Sequence, residues 1–137
     1  MSESIRLEII TPERQIFSED VQITIAPGTE GEFGVLHGHV PFLTQLNVGC
    51  IQYRTLGGDL KCLFISGGIA QVLPDAVNIL TPAAERAEDI NLERARRAKE
   101  RALERLEKKE EDPSVDVTRA QAALVRAIAR IHLATQI

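Results

Sequence analysis

Three groups of side chains in this 137-residue chain could carry chemistry. The first is His37-x-His39, which offers two imidazoles to a metal ion. Two ligands are too few for a tetrahedral site, and no cysteine, histidine or carboxylate cluster of suitable spacing completes it. His39, in a glycine-rich turn, reads better as a hydrogen-bonding loop residue. The second is Ser66-Gly67-Gly68, a candidate nucleophile without the strand-turn-helix context that would expose its hydroxyl; a hairpin turn is the plainer reading. The third is a set of arginines. Arg94, Arg97 and Arg101 fall on one face of a helix, and Arg119, Arg126 and Arg130 do so on the next. Guanidinium groups arranged this way suit carboxylates or phosphates, which they meet with paired N–H donors. The competing reading is that these charges are solvated and tune helix stability, as in Glu93 with Arg97, or Glu100 with Glu104 and Arg105. There is no GxxxxGK[ST] phosphate loop. No catalytic residue and no resident metal is expected, and the chain reads as a non-enzyme.

The elements that position these groups come in two kinds. From residue 1 to about 82, short runs alternate apolar and polar: Ile5, Leu7 and Ile9; Val21, Ile23 and Ile25; Val48 to Tyr53; Leu60 to Ile65; Ile69 to Leu73; Ala76 to Thr81. Turn signals at Thr11-Pro12-Glu13, Gly57-Gly58-Asp59, Gly67-Gly68 and Pro74-Asp75 separate them. Runs at this spacing predict an all-β sandwich or barrel. Between Pro27 and Gly49, five glycines interleave with short apolar pieces, Val35-Leu36 and Phe42-Leu43. That pattern predicts a shaped surface loop that still feeds the core.

At Pro82 the pattern changes. Leu92, Ala95, Ala98, Ala102 and Leu106 recur three or four apart, as do Val117, Ala120, Leu124, Ala127 and Ile131, predicting two amphipathic helices. Asp89 or Asn91 can cap the first and Asp116 the second. Glu110 to Ser114 breaks between them, giving an antiparallel hairpin. The fold class is therefore β + α: a β-domain at 1–84, then a helical hairpin at 85–137. The hairpin's seam is mostly alanine, and a buried CH₂ contributes only about 0.8 kcal/mol. Such a hairpin needs a docking surface and can leave it at modest cost, as a two-state element must.

Composition, 44% hydrophobic and 26% charged, is that of a soluble globular protein, and neither a membrane span nor a secretory signal is expected. Cys50 and Cys62 read as buried, reduced thiols of a cytoplasmic protein. Residues 1–89 hold 5 basic and 12 acidic residues, or −7, and residues 90–137 hold 11 and 8, or +3. The tail is thus suited to an acidic surface, on its own front half or on another protein. Interleaved glutamates and the lack of aromatic residues argue against nucleic acid.

The segments GEFGVLHGHVPFLTQLNVG, SGGIAQV (Ser66 to Val72), VNILTPAAERAEDI and ERARRAKERALERL, in this order, resemble the epsilon subunit of bacterial F-type ATP synthase from about Ile5 to Leu133. One departure is His37, where relatives commonly carry proline. The resemblance implies a rotor subunit of the central stalk that couples proton-driven rotation to ATP synthesis. Its β-domain would touch the gamma subunit and the c subunits of the membrane ring, with Glu30, Glu32 and His39 assigned to the ring contact. The hairpin would fold against the β-domain or extend toward the catalytic alpha and beta subunits and restrain ATP hydrolysis. Arg94, Arg97, Arg101, Arg119, Arg126 and Arg130 would then face acidic residues. The location implied is the cytoplasmic face of the bacterial plasma membrane, peripheral and held through the complex.

Some members of this family bind ATP on the folded hairpin through Ile or Leu, Asp, two residues, then Arg-Ala. Here Ile90, Asn91, Arg94 and Ala95 match, with asparagine in the aspartate position. Glu85, Arg101, Arg126 and Arg130 fall where the other contributors would be. No cofactor is required, and ATP is expected as a weak regulatory ligand. The alternative function is a generic interaction module whose hairpin docks on an acidic helical partner.

Overall fold

A computed structural model describes residues 3–135. It divides into two compact units, residues 1–86 and 87–137. The first unit is built on seven strands: β1 (Ile5–Ile10), β2 (Gln15–Gly28), β3 (Gly31–Val35), β4 (Phe42–Thr55), β5 (Leu60–Val72), β6 (Ala76–Leu80) and β7 (Ala84–Arg86). Neighbours run β1-β6-β5-β4-β2-β3, and β1 also pairs with β2, so five strands close into a ring. The β1–β6 ladder is parallel and the others antiparallel. The expected sandwich or barrel is observed. Its interior holds Ile5, Leu7, Ile9, Phe17, Val21, Ile51, Tyr53, Leu63, Ile65, Val77 and Ile79, all buried.

Four expectations are corrected. The segment from Pro27 to Gly49 is mostly strand: β2 runs to Gly28, Thr29-Glu30 turns the chain, β3 follows, and β4 begins at Phe42. Gly28 faces Gly31 across this hairpin, and a Cβ on Gly28 would stand 2.7 Å from the Gly31 carbonyl oxygen. Of the apolar pieces expected to feed the core, Val35 is buried and Phe42 packs against it, but Leu36 and Leu43 are exposed.

In β2 the inward positions are Val21, Thr24 and Ala26, whereas Ile23 and Ile25 are only half-buried. The β2–β4 register slips between Val21 and Ile23, and a one-residue slip exchanges the faces of everything beyond it. One result is Thr24, whose hydroxyl is buried without a hydrogen-bond partner.

Gly67-Gly68 does not turn a hairpin but lies inside β5. On one side β5 pairs with β4 throughout. On the other it pairs with β7 at Leu63–Ile65 and with β6 at Ile69–Val72. Pro82, which has no N–H to give a ladder, lies between β6 and β7. The two glycines have φ of 91° and 132°, and a Cβ on Gly68 would stand 2.0 Å from the Leu80 carbonyl oxygen. The sheet also runs past the expected boundary at 84, because Glu85 pairs with Phe64 and Arg86 with Leu63. The Arg86 guanidinium lies 5.0 Å from the centre of the Phe17 ring.

The second unit comprises a short 3₁₀ turn (Ala87–Asp89), α1 (Leu92–Glu107) and α2 (Val117–Thr135). Asn91 caps α1, its side chain accepting from the Arg94 N–H at 3.0 Å. Asp116 does the same for α2 through the Arg119 N–H at 3.0 Å. As expected, the buried residues along the hairpin are chiefly alanines: Ala95, Ala102, Ala120 and Ala127, with Leu133.

Gly68→Ala is expected to destabilise the β-domain by roughly 3 kcal/mol or more, since it combines a backbone clash with a left-handed φ. Gly58→Ala, with φ of 95° and open space around it, should cost only about 1–2 kcal/mol. Urea unfolding midpoints of the two variants test this ranking.

Candidate functional site

The first candidate surface lies around the β2–β3 turn and the β3–β4 connection. Glu30 is at the tip of the turn and Glu32 follows in β3, both exposed. His39 is half-buried and is the hydrogen-bonding loop residue expected. Its Nδ1 is 2.8 Å from the Val40 carbonyl oxygen, and its ring centre is 5.0 Å from that of Phe42. Phe42 in turn packs edge-on to Phe33 at 5.3 Å. His39 therefore ends an aromatic row rooted in the β-domain core, which fixes the ring's position.

The turn before it forms without proline. The His39 N–H donates to the Leu36 carbonyl at 3.3 Å with Gly38 at φ 85°, the pattern of a type II turn, and His37 takes the position where proline is favoured. Gly38 is tied down further by its N–H to the Pro74 carbonyl at 2.6 Å. His37 points its Nδ1 at Glu3 Oε2, 2.6 Å away, so the two histidines have separate partners. Among the described residues no three histidine, cysteine or carboxylate groups gather as a metal site would need.

The alternating pattern alone does not reveal the apolar surface that accompanies these residues. Leu36, Val40 and Leu43 are 57%, 74% and 69% exposed. On the outer face of the sheet Ile69 stands opposite Leu80 and beside Gln45, one step from Leu43, and both Ile69 and Leu80 are also exposed. The signal in the sequence was phase: if Phe42, Leu46, Ala70 and Ile79 point inward, Leu43, Ile69 and Leu80 must point out. Contiguous exposed apolar residues rimmed by charge mark a protein-binding surface.

The second candidate is the hairpin. Arg94, Arg97, Arg101 and Arg119 are exposed, and Arg126 and Arg130 are half-buried. Arg97 pairs with Glu93 at 3.6 Å along the helix, the solvated-face arrangement that the sequence also allowed. Ile90, Asn91, Arg94 and Ala95 come together in the first turn of α1, where the Ala95 N–H bonds to the Asn91 carbonyl at 3.0 Å. Asn91 Oδ1 is occupied by the cap, so its free hydrogen-bonding capacity lies in its side-chain NH₂. Arg101 lies two turns further along α1, Arg126 and Arg130 one turn apart on α2, and Glu85 in β7 of the other unit.

The turn of the hairpin carries a cavity of about 410 Å³ that the sequence did not predict, lined by Arg105, Lys108 and Arg119 together with Asp112 and Asp116. Asp112 accepts from the Ser114 hydroxyl at 2.6 Å and its N–H at 2.9 Å, and these bonds hold its carboxyl below the usual carboxylate range. Both aspartates accept hydrogen bonds locally, so three cations and two anions line this end of the hairpin.

Comparison with known proteins decides the family. Residues 4–87 match the family model described as ATP synthase, Delta/Epsilon chain, beta-sandwich domain, and residues 88–135 match ATP synthase, Delta/Epsilon chain, long alpha-helix domain. The chain belongs to the ATP synthase delta/epsilon family. An ATP synthase epsilon chain of Syntrophobacter fumaroxidans is 54% identical over 134 residues, covering 98% of each chain. One of Desulforapulum autotrophicum is 48% identical over 133 residues, 97% of each. Among solved structures, a chain of the Euglena gracilis mitochondrial ATP synthase, resolved with OSCP, F1 and c-ring, superposes with a TM-score of 0.80 at 28% identity. It spans 100% of this chain and 84% of that one. The two family models meet at 87/88, one residue from the division between the structural units.

Asn91→Ala removes the cap and should cost the hairpin about 1 kcal/mol, whereas Asn91→Asp, which caps as well, should be nearly neutral. Thermal melts followed by helical circular dichroism separate the two outcomes.

Proposed function

We propose that this chain works in the central stalk of a bacterial rotary ATP synthase as a coupling and regulatory subunit, without catalytic turnover of its own. The observation that carries this is the union in one chain of an epsilon-type β-domain and an epsilon-type hairpin, matched end to end by relatives of the same length. The assembly lies at the cytoplasmic face of the plasma membrane and is peripheral to it. Among the described residues no helix is long and apolar enough to cross a membrane, so attachment runs through protein contacts.

The partners are the gamma subunit, the c subunits of the ring and the catalytic alpha and beta subunits. Glu30, Glu32 and His39 meet the polar loops of the ring, with Leu36 and Val40 beside them supplying the apolar part of the contact. The strip of Leu43, Ile69 and Leu80 suits the gamma subunit. The arginines of the hairpin meet acidic residues of the catalytic head, and rotation in the synthesis direction carries the subunit with the ring. The alanine seam supports a hairpin that leaves one docking surface for another, because little burial is lost when it moves.

ATP is a regulatory ligand of the hairpin, bound weakly. The first turn of α1, with Arg94 and the Asn91 side-chain NH₂, and the arginines Arg101, Arg126 and Arg130 supply donors for a triphosphate. Asparagine in the aspartate position keeps the cap but departs from the motif there, and weak binding is expected on that account.

Adding the full chain to a catalytic head depleted of its own epsilon subunit should slow ATP hydrolysis several-fold. A version ending at Glu88 should bind without slowing it. Replacing Arg94, Arg101 and Arg126 by alanine should relieve the inhibition, and so should raising salt toward 1 M, where the screening length falls to about 3 Å. Inhibition by the truncated version, or failure of both to bind, would refute the assignment. Calorimetric titration at millimolar ATP should give a weak saturable heat that Arg126→Ala abolishes; no heat from the unaltered chain removes the ligand.

A further inference from the structure

We propose that Cys50 and Cys62 form a cross-strand dithiol that closes reversibly to a disulfide when the chain meets a small-molecule disulfide of the glutathione class. In the β4–β5 ladder Gln52 stands opposite Cys62, and Cys50 stands opposite Phe64. The cysteines are therefore diagonal neighbours on one face of the sheet. That face is the reverse of the one that buries Ile51, Tyr53, Leu63 and Ile65. Both thiols are free and half-buried, so a small oxidant can reach them. The two thiols are close enough for each to shift the other's ionisation.

The geometry also sets the order of events. Burial pushes both thiols above their ordinary range. At Cys50 the neighbouring Cys62 and the Glu32 carboxylate push further in the same direction while Gln52 opposes, and at Cys62 the interaction with Cys50 opposes the burial. With its burial partly offset, Cys62 is the attacking thiol of the proposal. Its thiolate attacks one sulfur of the small disulfide, the S–S bond breaks, and one small thiol leaves. Cys50 then gives its proton to solvent and attacks the Cys62 sulfur, releasing the second small thiol. Two electrons pass from the protein pair to the small disulfide, and one S–S bond replaces another.

Diagonal positions across antiparallel strands have Cα atoms about 7–8 Å apart, slightly beyond the roughly 4.4–6.8 Å that an unstrained disulfide spans. Closure therefore requires local backbone movement at this point of the β4–β5 ladder, and the bridge is strained and easily reduced. It is of the labile kind, not a structural staple. Because both thiols are raised, little thiolate is present at neutral pH and closure there is slow without an oxidising load.

Intact-mass measurement of the full chain after incubation with glutathione disulfide tests this. The expected product is a monomer that has lost two hydrogen atoms, with a Cys50–Cys62 link in its peptide map, reversed by dithiothreitol. Its rate of formation should rise about tenfold per pH unit below the thiol range, because the thiolate is the reactive species. Cys50→Ser should stop at a stable glutathione adduct on Cys62, and Cys62→Ser should react far more slowly. Two glutathione adducts, an intermolecular dimer, or no change in the unaltered chain would overturn the proposal. The mass of the unaltered chain decides the matter even if a serine variant fails to fold.

Discussion

The ring of strands depends on what happens at Gly67-Gly68. β5 must keep one continuous ladder with β4 while changing neighbours on its other side, from β7 to β6. At the changeover the Leu80 carbonyl comes so close to Gly68 that no side chain fits. A residue with a Cβ would force β6 away, and β6 is what brings β1 into the ring by a parallel ladder. The core contributed by Ile5, Leu7 and Ile9 thus rests on the absence of one atom 59 to 63 residues away in sequence. A contact so distant along the chain also has a high loop-closure cost, so the β-domain is bound to fold more slowly than the hairpin.

The two units are held together internally by different means. The β-domain buries large branched and aromatic side chains in a closed ring, and its Phe17–Tyr53 ring pair sits at 4.9 Å with Arg86 stacked on the outside. The hairpin buries alanines and relies on caps at Asn91 and Asp116 to start its helices. A rigid platform and a loosely held lever in one chain are what a regulatory rotor subunit requires. The difference follows from side-chain size alone.

Much of this was legible in the sequence. Alternation placed β1, β6, the second half of β4 and the two halves of β5 as separate runs, and three-four spacing placed both helices and their alanine seam. The failures share a cause: where a glycine or a bulge alters the backbone, local pattern loses its meaning. Gly31 and Gly34 suggested a loop, but their strand character is imposed by pairing with β2. Ile23 and Ile25 have the right type for the interior, yet the slip beside Val21 gives that place to Thr24 and Ala26. The glutamates of the ring-contact set were correctly read as exposed. His39 was read as a hydrogen-bonding loop residue, which it is, but its packing on Phe42 and Phe33 was not legible because they meet only in three dimensions. The apolar residues beside it were visible in sequence but assigned to the wrong side.

The free rims of the sheet have a consequence for how the protein behaves when crowded. A strand at the end of a sheet offers unpaired amide and carbonyl groups to any other chain that passes. Here the terminal strand β3 is only five residues long, carries two glycines and an exposed glutamate, and follows a tight turn that presents another glutamate. At β5 the flanking strand β7 is three residues long. Short, acidic, glycine-broken rims are poor templates for strand addition. A subunit synthesised free and assembled later is thereby kept from polymerising edge to edge before its partners cover it.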